Sequence, residues 1–406
     1  MENAPAQQVE RSIVSRILEV FLVALRLGLT SFGGPIAHLG YFRAEYVERR
    51  KWLDEQSYAD LVALCQFLPG PASSQVGIGV GINRAGLLGG FAAWLGFTMP
   101  SAIALIAFAY GVAAVGDVSG AGWLQGLKVV AVAVVALAVW GMARNLTPDR
   151  PRITLAILAA AALLFWTSAV AQIGAIVAGG VLGWLFLSHD GSQADERSSP
   201  VRRWVGTVSL LLFFVLLAGL PLLASVAGDD LLSVFDRFYR AGSLVFGGGH
   251  VVLPLLQAEV VPTGLVSQDE FIAGYGAAQA IPGPLFTFSA YLGAAGDVLP
   301  TRWMGGLFTL AAIFLPSFLL VAGTLPFWDR LRSFTAFRRA LAGVNAAVVG
   351  ILLAALYDPV FTSGILATQD FALALAAFAL LAFWKLPPWL VVILTALGGQ
   401  ALTWLP

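Results

Sequence analysis

The sequence predicts an all-α integral membrane protein made of two inverted-topology repeats with broken or re-entrant helical hairpins. Three observations predict it. First, of 406 residues 59% are hydrophobic and only 11% charged, with a mean hydropathy of +0.84. A soluble domain carries roughly a quarter charged residues, so too little polar side chain is present to cover a water-facing surface. Second, apolar runs long enough to span hydrocarbon recur along the chain, about 13 helical segments in all. Third, an ordered set of Arg, Gly, Phe, Gln and Pro positions occurs twice. The composition excludes a cytosolic globular enzyme, a nucleic-acid binder and a disordered chain. The 23 basic and 23 acidic residues cancel. A single cysteine, Cys65, excludes an internal disulfide, and three histidines (His38, His189, His250) leave little for a metal site, so no cofactor or metal is expected.

The spans follow from the runs themselves: Gly86–Val115, Leu124–Ala143, Ile153–Ala169, Ile173–Leu187, Val205–Val226, Met304–Leu325, Leu341–Leu356, Phe371–Trp384 and Trp389–Trp404. Met1–Glu10 is polar and lacks the apolar core of a cleaved signal peptide. Residues 188–203 (SHDGSQADERSSPVRR) are rich in Ser, Gly, Pro and charge, which reads as a solvated linker. Glycine-rich stretches such as Gly86–Gly96 suit close helix packing.

Arg26, Gly28, Phe32, Gly33, Gly34 and Glu45 recur 214 residues later as Arg240, Gly242, Phe246, Gly247, Gly248 and Glu259. Gln66, Pro69, Gly70 and Pro71 recur at 213 as Gln279, Pro282, Gly283 and Pro284. Gly89, Gly90, Pro100 and Ser101 recur at 216 as Gly305, Gly306, Pro316 and Ser317. The expected organisation is therefore a first repeat over residues 1–187, the linker 188–203, a connecting transmembrane helix 204–228 and a second repeat 229–406.

Ser12–Ser31 has helical period and then meets Phe32-Gly33-Gly34-Pro35, which no straight helix carries comfortably. Were it a full crossing, the cluster Glu48-Arg49-Arg50-Lys51 would lie opposite Arg11 and Arg16, against the positive-inside rule. A hairpin turning at 32–35 removes the conflict, and Asp54–Phe67, broken at Leu68-Pro69-Gly70-Pro71 and resumed through Asn83-Arg84, forms a second. Five crossings then separate the copies, so the second pair of hairpins enters from outside. Its connections His250–Ser267 and Tyr357–Asp370 contain no Lys or Arg. All of the 23 basic residues except Lys128, Arg237, Arg240, Arg302 and the deep Arg26 then fall on the cytoplasmic side, with the N-terminus. Thirteen straight crossings also invert the repeats but strand Arg43–Lys51 outside.

Inverted repeats with interrupted helices mark secondary transporters, whose sites lie where the half-helices end. Pro35 and Pro71 suit a first helical turn, so four helix starts, with free N–H groups and positive dipole ends, point toward the bilayer centre. Glycines at 33, 34, 70, 247, 248, 249 and 283 let an anion approach that backbone. Phe32, Phe246 and Pro284 complete the tips. Ser73, Ser74 and Thr287 add hydroxyls, and His250 opens the helix after the triple glycine. Arg26 and Arg240 lie about 10 Å before the tips. Each is a candidate anion ligand, or one half of a clamp with Glu45 or Glu259. Those carboxylates and His38 are the candidate proton carriers, whereas Asp60 suits a solvated interface. Gln66 and Gln279, three residues before their breaks, suit support of freed backbone groups. Asp54 and Ser267 read as helix N-caps, with Glu270 completing a capping box. No nucleophile–base set, metal spacing or nucleotide loop stands out. On the residues alone the substrate is a small anion.

The paired motifs Phe32-Gly33-Gly34-Pro35 with Leu68-Pro69-Gly70-Pro71, and Phe246-Gly247-Gly248-Gly249-His250 with Ile281-Pro282-Gly283-Pro284, resemble the signature of the chromate transporter family. The resemblance covers nearly the whole chain and fits the long, two-copy members; Gly249 in place of Pro35 is typical of their second copy. It implies a bacterial inner-membrane exporter of chromate that confers chromate resistance, driven by the proton motive force, with sulfate as competitor or cargo. Lipids, and a second copy in a homodimer, are the other expected partners; nucleic acid is not. An anion channel and a lipid-handling protein are the alternatives from other classes.

Overall fold

The computed structural model describes residues 12–32, 34–115, 121–166, 168–187, 201–246, 251–328 and 334–403. Among the described residues there are helices and connecting turns and no strand. Five helices are long and apolar enough to cross a bilayer: Ala72–Ala114, Gly122–Leu146, Arg203–Ala227, Arg302–Phe327 and Thr335–Gly364. With the shorter apolar helices, this makes the chain a multi-pass membrane protein. The solvated linker expected at 188–203 lies, for residues 188–200, outside the described residues, as do Gly33 and Gly247–His250.

The first repeat opens with α1 (Ile13–Thr30), capped by the Ser12 hydroxyl accepting from the Ser15 N–H. The chain stops being helical at Ser31 and Phe32 and resumes as α2 (Gly34–Phe42), which runs on as a π-helix (Arg43–Arg49). Arg26 faces Glu45 and Glu19 faces Arg50, so the second arm returns antiparallel to the first. α3 (Glu55–Phe67), capped by Asp54, ends before the turn 68–71, and α4 (Ala72–Val115) follows. A Cβ on Gly79 would stand 2.6 Å from Leu61, so this pair also folds back on itself. α4 is two limbs, because Ala85 and Gly86 leave helical geometry. Gly81 and Gly89 meet across that break, a Cβ on either standing 2.3 Å from the other's carbonyl oxygen. Limb 72–84 thus folds back along α3, and limb 87–115 overlaps the span expected from Gly86 onward. α5 (Gly122–Leu146), α6 (Arg150–Phe165) and α7 (Ala169–Phe186) overlap the next three expected spans, and α8 (Arg203–Ala227) the connecting one.

The second half repeats this order. α9 (Asp230–Leu244) and α10 (Val252–Val260) are brought together by Arg240 and Glu259. α11 (Gln268–Ala278), opened by the Ser267–Glu270 capping box, folds against α12 (Phe288–Ala295), where Gly274 lies under the Tyr291 ring. α13 (Arg302–Thr324), α14 (Thr335–Ala355), α15 (Thr368–Ala382) and α16 (Pro388–Leu402) complete the chain.

The halves pack reciprocally. α5 lies against α15 and α16, while α14 lies against α6 and α7. Glycine permits both crossings: Gly126 sits on the Thr395 carbonyl and Gly343 on the Gly179 carbonyl. Limb 87–115 and α13 are equivalent segments, yet they run antiparallel, since Phe91 meets Phe318, Trp94 meets Phe314, and Gly306 meets Ile106. An element antiparallel to its own copy is what a two-fold axis perpendicular to it produces.

Candidate functional site

Described residues at all four breaks, Ser31, Gly70, Val245 and Gly283, touch across the two halves. Gly70 donates its N–H to the Val245 carbonyl at 2.6 Å, and Gly283 donates to the Ser31 carbonyl at 3.0 Å. Val245 stands 214 residues after Ser31, and Gly283 stands 213 after Gly70, so one bond is the other with the copies exchanged. Both donors have positive φ, +121° and +100°, a region that L side chains rarely enter. Space demands glycine as well. A Cβ on Gly70 would stand 2.6 Å from Gln75 Nε2 and 3.0 Å from Ser317 Oγ, and one on Gly283 would stand 2.9 Å from Ser101 Oγ. Ser101 and Ser317 are themselves a repeated pair. Both glycines were expected to let an anion approach the backbone; in this structure their amides are bonded to carbonyls.

Around the seam lie buried polar groups. His38 is 1% exposed, with Nε2 3.2 Å from the Ser31 carbonyl oxygen and Nδ1 3.2 Å from Ser73 Oγ. A carbonyl only accepts, so Nε2 carries the proton and Nδ1 accepts from the Ser73 hydroxyl. Thr287 donates to the Pro284 carbonyl at 2.7 Å. The carbonyl freed at Pro69 is taken by Gln75 Nε2 at 2.7 Å, while the Gln66 side chain is exposed. Gln75 was missed by sequence reasoning because its partner is set by the turn and not by a repeated motif. The hydroxyls of Ser31, Ser74 and Ser317 are buried and have no hydrogen-bond partner among the described residues. The Gln279 Nε2 group is likewise buried and unpartnered there. Phe32 contacts Trp389 of α16, 6.3 Å between ring centres. Gly34, Pro35, Pro71 and Phe246 are placed at the same breaks, with Pro35 in the first turn of α2.

The arginines stand apart from the seam and differ from each other. Arg26 lies 3.7 Å from Glu45, but its side chain is 60% exposed. Glu45 also accepts from Arg49 at 3.0 Å and Arg50 at 2.7 Å. Glu19 accepts from Arg50 and Arg84, each at 3.1 Å, and both of those guanidiniums lie over the Trp52 ring. Four arginines therefore share two carboxylates. In the second copy the ratio reverses: Arg240, 25% exposed, pairs with Asp236 and, at 3.5 Å, with Glu259. A groove of about 300 Å³ opens beside Arg26 and Arg50, walled by Leu18, Leu22 and Val23. Among the described residues no group of three or more His, Cys, Asp or Glu is arranged to hold a metal ion.

The sequence model of the family described as "Chromate transporter" matches residues 18–184 and again residues 232–400. The chain belongs to the chromate transporter family. Within the family, it is 29% identical over 94% of its length to a chromate transport protein of Pseudomonas aeruginosa, 90% of which is covered. It is 26% identical over 92% of its length to a probable chromate transport protein of Synechococcus elongatus, 93% covered. A chromate transport protein of Cupriavidus metallidurans is 26% identical over 87% of this chain and 85% of its own. No solved structure matches.

Proposed function

We propose that this protein exports chromate, with sulfate as a competing cargo, across the bacterial inner membrane by alternating access, driven by the proton motive force and giving chromate resistance. The observation that carries the reading is the exchanged pair of bonds, Gly70 to Val245 and Gly283 to Ser31, which joins broken segments of two copies at one level. The antiparallel run of limb 87–115 against α13 supports inversion: a two-fold that reverses a membrane-spanning helix lies in the bilayer plane. The names of the relatives support the cargo.

A tetrahedral dianion is best held by several donors arriving from different directions. The hydroxyls of Ser31, Ser74 and Ser317 and the first-turn amides of α2 and α4 supply them. Parting of the tips releases the Gly70 and Gly283 amides, so anion binding and tip separation are linked steps. Arg26, exposed and only loosely paired, serves the anion; Arg240, held by two carboxylates, clamps its hairpin. The arginine-rich cluster of the first copy lies in the cytoplasm, with the N-terminus. An inside-negative potential then drives a dianion outward by about 2.3 kcal/mol per charge per 100 mV.

The test is chromate uptake into everted vesicles, with and without a pH gradient and with sulfate as competitor. Saturable, gradient-dependent, sulfate-sensitive accumulation is the expected result. Non-saturating flux indifferent to pH would make the protein a channel, and absence of chromate accumulation would overturn the proposal.

A further inference from the structure

The two halves are not in the same conformation. α11 packs on α5: Gly276 is pressed against the Leu127 carbonyl, where a Cβ would stand 2.1 Å away, and residues 271–278 are all buried. Lys128 of α5, with a side chain 5% exposed, is paired at 2.8 Å with Asp269 in the first turn of α11. The corresponding helices of the other copy are α3 and α14. There Ala59 and Gln66 are exposed, and Val62 and Ala63 partly so. The Phe67 ring reaches across to Trp328 and Phe337. Asn345 stands where the repeat puts Lys128, and Gln56 where it puts Asp269. Asn345 Oδ1 has no hydrogen-bond partner among the described residues. One copy thus has a charged, tightly packed contact, whereas in the other the residues at the matching positions are neutral and α3 is partly exposed.

We infer that the Lys128–Asp269 pair is the outer gate of the transporter, closed in this structure, and that the face of α3 carrying Gln66 lines the route from the cytoplasm to the tips. The argument is physical. A glutamine exposed at the level of a helix break is costly against lipid, so its side chain lies in water. A buried ammonium needs its partner, so Lys128 holds α11 in place until another anion replaces Asp269. The alternate state has α3 docked on α14 and α11 released from α5. Which side is called outer rests on the topology proposed above.

Cys65 is the single cysteine of the chain, so Cys65→Ser gives a background for reporters Gln66→Cys and Gln279→Cys, which occupy equivalent positions. A membrane-impermeant thiol reagent is applied to everted and right-side-out vesicles. Position 66 is expected to react from the cytoplasmic side and position 279 to be protected. Asp269→Asn is expected to raise outside labelling at 279 by roughly five- to tenfold, an ordinary strength of coupling between two states. The charge-reversed pair Lys128→Asp with Asp269→Lys is expected to restore protection, and fluorescence-detected size exclusion reports folding of each variant. Equal labelling of 66 and 279, or labelling at 279 indifferent to Asp269→Asn in folded protein, would overturn the gate. Reaction of 66 from the outside, with 279 still protected, would keep the gate and overturn the topology.

Discussion

Gly70 gives its N–H to the Val245 carbonyl at 2.6 Å, so the tip of one hairpin in the first copy rests on the end of a helix in the second. Because Gly283 and Ser31 repeat the contact, neither half completes its own centre. Alanine at either glycine would carry a strained backbone, which costs about 1–3 kcal/mol, and would press on Gln75 or Ser101. Gly70→Ala and Gly283→Ala are expected to cut vesicle chromate uptake at least roughly tenfold at matched protein amounts. Gly40→Ala, at an exposed helical site with no neighbour within 4 Å, is the control and should leave uptake unchanged.

The two arginines should fail differently. Arg240→Gln strands Asp236 and Glu259, 6% and 12% exposed, and removing one side of a buried charge cluster costs about 3–5 kcal/mol. Loss of the folded protein from the membrane is expected, with partial recovery in Asp236→Asn/Arg240→Gln, read by fluorescence-detected size exclusion. Arg26→Gln should express normally and lower uptake by roughly tenfold.

His38 bridges a carbonyl and a hydroxyl, a task a glutamine amide can share because it both donates and accepts. His38→Gln should keep most uptake, whereas His38→Leu should lose it. If His38→Gln also keeps the response to an imposed pH gradient, the coupling proton travels elsewhere, and Glu45 and Glu259 become the carboxylates to neutralise next.

Gly28 and Gly242 sit under the Phe97 and Ile313 carbonyls, where a Cβ would stand 2.6 Å and 2.2 Å away. Overpacking at such sites costs about 1–3 kcal/mol. Gly28→Ala and Gly242→Ala should each lower the thermal midpoint in detergent, by similar amounts if the copies pack alike.

Much of the fold was legible because its signals are local. Run length marked the helices long enough to cross, and the Phe-Gly-Gly-Pro and Pro-Gly-Pro motifs marked breaks at which helices stop. The Arg26–Glu45 and Arg240–Glu259 pairings followed from hairpin arithmetic, which needs only the turn position. The reversal within α4 was legible too, since a new span was expected to start at Gly86, where the helical geometry breaks. Other features depend on distant packing. The π-helix over Arg43–Arg49 places Glu45 among three arginines, a geometry no spacing rule for an α-helix anticipates. The crossing of α5 onto α15 and α16, and with it Lys128 on Asp269, joins residues more than a hundred positions apart. The amides of Gly70 and Gly283, at breaks expected to admit an anion, are occupied because the other copy brings a carbonyl that sequence could not place.

Sharing two carboxylates among Arg26, Arg49, Arg50 and Arg84 gives the mouth beside them a surplus of positive charge. Such a field acts on valence before shape: an ion of charge two gains twice the attraction of chloride and is enriched near the opening as the square of the monovalent factor. Discrimination against monovalent anions would then begin outside the pocket, as a capture rate that fades once added salt shortens the Debye length below about 10 Å.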